Sequence, residues 1–146
     1  MVSPATIPTI KEKLRSGTEA VRTVALWHAA AHGSAGVPLA AEIARMFEDP
    51  SDAVQWHAMR TFLVVGAGAA DAVPILAEQV RKGAPKMLVS RALAGLAKIG
   101  PLARSELNAV LDTWKSTSGH DRSNALEALL RIAPEDPAIQ IGRAHV

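Results

Sequence analysis

Four segments of this chain align on one another, and their even spacing restricts the fold more than any other feature. Residues 21–33 read VRTVALWHAAAHG, 54–66 read VQWHAMRTFLVVG, 88–100 read LVSRALAGLAKIG and 121–133 read DRSNALEALLRIA. Ala25, Ala58, Ala92 and Ala125 share one position, separated by 33, 34 and 33 residues. Gly33, Gly66, Gly100 and Ala133 close the four segments. Self-similarity at such a period marks a repeat architecture in which each unit buries an apolar face against the next.

Each aligned segment reads as a helix. Leu88, Ala92, Leu96 and Ile99 recur at intervals of four, four and three, which places them along one stripe. A small side chain at the shared position lets two helix backbones approach closely. A glycine after the last apolar residue suits a left-handed C-terminal cap. A second family of helices lies between these segments, three of them opened by Ile7-Pro8, Val37-Pro38 and Val73-Pro74, where a missing N–H is tolerated in the first turn. The spacing predicts helices near 4–16, 18–32, 36–48, 52–65, 69–82, 86–99, 102–116 and 120–133. Asp49 or Ser51 is placed to cap the helix that begins near 52.

The expected fold class is all-α, a right-handed α-solenoid of about eight antiparallel helices. Its regular phase over four segments favours a stack over an irregular globular bundle. A repeat domain over residues 1–133 and a short tail at 134–146, broken by Pro134 and Pro137, complete the expected organisation. The first helix reads as the second half of a repeat, so self-association through exposed solenoid ends is expected to be available.

Composition narrows the function classes. The absence of cysteine excludes disulfides, thiolate catalysis and cysteine-based metal sites. No apolar run approaches the length of about 20 residues that spans a bilayer, and no secretory leader precedes the first helix, so a cytoplasmic location is expected, with no membrane contact. Sixteen Lys and Arg against fourteen Asp and Glu leave a charge of +2, too even to single out a polyanion as ligand.

The runs VRTVALWHAAAHG and RALAGLAKIG and the loop EDPSDAVQ resemble bacterial HEAT-like repeats of the phycobilisome-lyase type, whose pattern is an Asp-Pro turn, a Val-Arg pair, spaced alanines and a closing Ile-Gly. Val21, Arg22, Ala25 and Gly33 match it, as do Ala92, Leu96, Lys98, Ile99 and Gly100. The chain departs from it at Gln55 and Val89, where arginine is usual, at Asp121 in an apolar position, and at His32, where Val65, Ile99 and Ile132 stand elsewhere. The resemblance implies a HEAT-like superhelix and, through the lyases, an alternative function as an accessory protein for a tetrapyrrole chromophore.

Candidate functional residues are few. In such folds the second helix of each pair usually lines the concave surface. Here those helices carry charges of both signs, which suits a polypeptide partner, and Arg45, Arg81, Lys82 and Arg104 are the expected contacts. Trp27 aligns with Arg60, Ala94 and Glu127, a position open to charge, so its indole is expected to be exposed and, with Trp56, to anchor a partner. Trp114 is expected to pack between its own helix and the last one. Lys11, Lys13, Arg15, Arg81, Lys82 and Lys86 suggest a basic edge and with it an alternative reading of nucleic-acid binding. His28 and His32 stand four apart, and His57 follows one repeat later, but no glutamate completes a metalloprotease pattern. The expectation is a noncatalytic protein-binding scaffold without catalytic residues, metal or cofactor.

Overall fold

The computed structural model describes residues 5–137 and 139. Those residues form eight α-helical segments, with 3-10 stretches in some of the connections and no strand among them. The chain divides into two compact units, Met1–Ala72 and Val73–Val146.

The first unit contains α1 (Ile7–Lys13), α2 (Glu19–Ala31), α3 (Ala40–Arg45) and α4 (Asp52–Val65). α2 packs on α4, α1 on α2 and α3 on α4. Ala25 and Ala58, the shared small positions, are at most 1% exposed. Thr61 ties the two long helices together by donating to the Leu26 carbonyl at 3.3 Å. The core closes on Phe47 and Phe62, whose rings meet edge to face with centroids 5.7 Å apart.

The helix expected over 36–48 is α-helical only between Ala40 and Arg45. A 3-10 run, Gly33–Leu39, leads into it and another, Met46–Glu48, leads out. Pro38 lies inside the first run, where its missing N–H removes a bond that an α-helix would need.

The second unit contains α5 (Val73–Lys82), α6 (Lys86–Ile99), α7 (Leu107–Ser116) and α8 (Gly119–Ile132). A 3-10 stretch, Gly100–Glu106, precedes α7, so this helix starts five residues later than expected. α6 packs on α8, and Asn124 bridges them by donating to the Ser90 hydroxyl at 2.9 Å. α5 packs on α6 and on α7, and α7 on α8. Ala92 and Ala125 are fully buried, as their counterparts are in the first unit. Of the expected tail, residues 138 and 140–146 lie outside the described residues, whereas Ile139 is buried and its N–H donates to the Asp136 carbonyl at 3.1 Å.

The segment ends divide into two kinds. Gly33 and Gly100 adopt positive φ, +57° and +78°. A ψ of −143°, however, takes Gly100 out of the left-handed helical region expected of a cap and into an extended conformation that essentially only glycine adopts. Gly66 has no positive φ, since its value is −81°. Space, rather than handedness, requires glycine there. A Cβ at Gly66 would stand 2.5 Å from a ring carbon of Phe62 and 2.6 Å from the Phe62 carbonyl oxygen.

Ser51 caps α4 by accepting from the Val54 N–H at 3.3 Å. Asp49 is used otherwise. Its carboxylate takes two bonds from Arg22, at 2.9 and 3.1 Å, and one from the Ser51 N–H at 2.9 Å. Arg22 spends its remaining nitrogen on the Ser16 carbonyl at 3.0 Å. Gln55, aligned with Arg22 one repeat later, donates to the Asp49 carbonyl at 2.7 Å. The turn before α4 is thus held from both neighbouring helices, and a sequence departure from arginine becomes a second clamp on the same loop.

Candidate functional site: a polar groove and an exposed aromatic face

The expected contact residues separate into two chemistries. Arg45, Arg81 and Arg104 each hold an acid. Arg45 reaches Glu42 at 3.3 Å, and Glu42, only 7% exposed, also receives Arg15 from the turn after α1. Arg81, at the end of α5, pairs with Glu106 just before α7. Arg104 pairs with the fully exposed Glu135, and the guanidinium beside that carboxyl holds it below the usual glutamate value. Arg15–Glu42 and Arg81–Glu106 each tie neighbouring elements together within their respective units, a structural task for Arg81 that its sequence position did not announce. Lys82 is exposed near the end of α5.

In the second unit a groove of about 510 Å³ opens where α5, α6, α7 and α8 meet. Arg81 and Lys86 line it, and so do Asp112 and Asp121. Asn108, Thr113, Ser116 and Thr117 supply amide and hydroxyl groups along it, with Val80 and Val89 as its apolar part. Thr113 and Thr117 donate their hydroxyl protons to the carbonyls of Ala109 and Thr113, at 3.0 and 2.6 Å, which leaves oxygen lone pairs to accept from a ligand. Among the basic-edge residues of this unit, Arg81 and Lys86 do share a surface. Two carboxylates share it with them.

The two tryptophans lie on α2 and α4 of the first unit. Trp27 is 55% exposed and Trp56 48%. His57 lies edge-on to both indoles, with centroids 6.0 Å from Trp27 and 5.1 Å from Trp56. The Arg60 guanidinium sits over the Trp56 ring at 4.8 Å. Val24, Leu63 and Val64 are also exposed on these two helices. Alignment of Trp27 with Arg60 and Glu127 was a sufficient signal for exposure. The role of His57 as the brace between the indoles had none, because it depends on how α2 and α4 pack.

Trp114 is half-buried under Arg122 of α8, whose guanidinium lies 4.7 Å from its ring, as expected of a residue between the last two helices. Arg122 stands at the position that Arg22 holds three repeats earlier, yet it stacks on an indole instead of holding an aspartate. The histidines do not converge. His32 places Nε2 2.7 Å from the Ala5 carbonyl, His57 belongs to the aromatic face, and no set of three potential ligands that could hold a metal occurs among the described residues. No helix among those residues is long and apolar enough to cross a membrane.

The sequence matches no protein-family model, and no curated protein shows significant similarity to it.

Proposed function

We propose that this chain is a noncatalytic polypeptide-binding module built from HEAT-like helix pairs of the phycobilisome-lyase type. The repeated alanine seam, the glycine-closed first helices and the packing of α2 on α4 and of α6 on α8 support that arrangement. The observation that carries the binding reading is the groove of the second unit. Among the described residues, Lys86, Asp112 and Asp121 line it without an ion-pair partner, beside hydroxyl and amide groups. Charges of both signs with hydrogen-bonding side chains between them complement a peptide backbone and its polar side chains. The carboxylates make a nucleic-acid backbone a poor match, because each repels phosphate at short range.

Selection from a displayed random-peptide library, followed by fluorescence anisotropy on the enriched sequences, tests this reading. Asp112→Lys combined with Asp121→Lys is expected to weaken binding by about tenfold or more, equivalent to about 1.4 kcal/mol. Trp27→Ala, remote in sequence and on the first unit, is expected to leave it unchanged. Failure to enrich any peptide, or binding indifferent to the paired lysine substitutions, overturns the proposal.

A further inference from the structure

The exposed side of α4 carries a pattern that is complementary to itself when reversed. Asp52, Trp56 and Arg60 follow at intervals of four, which holds them on one side of the helix, acid and base each about 6 Å along the axis from the indole. All three are exposed, and among the described residues neither Asp52 nor Arg60 forms an ion pair. Exposed charges that decorate a solvated helix commonly find partners at i+3 or i+4. Here Trp56 stands four residues after Asp52 and four before Arg60.

The surroundings of this stripe are apolar and shaped. Trp27 stands out from α2 beside it, with a hollow on either flank. One, of about 220 Å³, lies between α2 and α4 and is walled by Trp27, His57, Arg60 and Val64. The other lies against Ala20, Thr23 and Val24. Knob and hollow therefore occur on one surface. Solitary exposed apolar side chains need no explanation, but five large ones on two adjacent helices form a patch of the kind that covers an interface.

We propose that this face pairs two copies of the chain about a two-fold axis near Trp56, with Arg60 of each copy on Asp52 of the other. A two-fold contact presents every residue pair twice, so one stripe supplies two intermolecular ion pairs flanking stacked indoles. A different protein would need to bring its own acid and base in matching register, whereas a second copy already has them. The pairing uses neither the groove nor its residues and stands independently of the peptide-binding reading.

Sedimentation velocity on the full chain, from low to high micromolar concentration, tests the pairing through charge exchange. The unaltered chain is expected to show a concentration-dependent monomer–dimer equilibrium. Arg60→Asp alone and Asp52→Arg alone each set like charges against each other at two places, and each is expected to weaken the dimer by about tenfold or more. Mixing the two variants restores opposite charges at both places, so a dimer containing one of each is expected to return, as is the dimer of the chain carrying both substitutions. Trp56→Ala weakens it without this rescue. Both charged positions are exposed at the surface of α4, and circular dichroism checks that each variant folds. A monomer at every concentration, a dimer indifferent to either reversal, or a mixture that fails to recover overturns the proposal.

Discussion

Replacing Arg22 by alanine removes the side chain that holds the turn before α4, and the structure sets the size of the effect. Arg22 makes two charge-assisted bonds to Asp49 and a third to the Ser16 carbonyl. Its side chain is 14% exposed and that of Asp49 only 6%, so water replaces the guanidinium poorly. Breaking one partner of a buried pair costs about 3–5 kcal/mol, because the charge left behind stays desolvated. The Ser51 N–H still donates to Asp49, which places the expected loss at the low end, about 3 kcal/mol. With a urea slope of about 2 kcal/mol/M for a chain of this size, the unfolding midpoint is expected to fall by about 1.5 M. Tryptophan fluorescence in a Trp114→Phe background reads the first unit through Trp27 and Trp56. Asp49→Ala and the double variant complete a thermodynamic cycle, in which the loss of the Ser51 contact cancels and a coupling of about 2 kcal/mol is expected. Strict additivity, or a midpoint lowered by less than about 0.3 M, would refute the view that this pair is the clamp on the turn.

Three further outcomes follow from other parts of the structure. Gly66→Ala is expected to destabilise by roughly 1–3 kcal/mol in thermal unfolding, because the new methyl group meets both the Phe62 ring and its carbonyl, whereas Gly17→Ala has open space around it and is expected to leave the melting temperature nearly unchanged. Ala92→Leu forces a large side chain into the fully buried α6 position and is expected to cost roughly 1–3 kcal/mol or more by urea denaturation, while Ala94→Leu, half-buried two residues on, costs less. Carbon-detected NMR titration is expected to find the Glu135 carboxyl ionising below the usual glutamate value, and Arg104→Ala to bring it back towards that value. The sign follows from the lowered folded-state value: the favourable contribution is present above the ordinary glutamate range and fades as pH falls through the lowered one. Glu135 is fully exposed, so the titration, not the melting temperature, is the readout.

Much of the secondary structure was legible because helix formation is a local and periodic matter. The stripe of Leu88, Ala92, Leu96 and Ile99 announced α6, and burial of Ala25, Ala58, Ala92 and Ala125 followed from a single alignment. Exposure of Trp27 followed from the charged residues that share its position. The 3-10 entries to α3 and α7 were less legible, since proline near a helix start is compatible with either hydrogen-bond pattern until packing selects one.

Tertiary structure alone decided which polar groups meet. Asp49 was a reasonable cap by sequence, but Arg22, 27 residues earlier, claims its carboxylate while Ser51 caps the helix. The Gly66 position was read as a left-handed cap, and the ring of Phe62 instead made it a matter of space. The groove in the second unit needed four helix ends in one place. Periodicity reports which side of a helix is dry, because that depends on residues three and four apart. Salt bridges, braces between rings and grooves depend on side chains distant along the chain, whose encounter is set by how the helices cross.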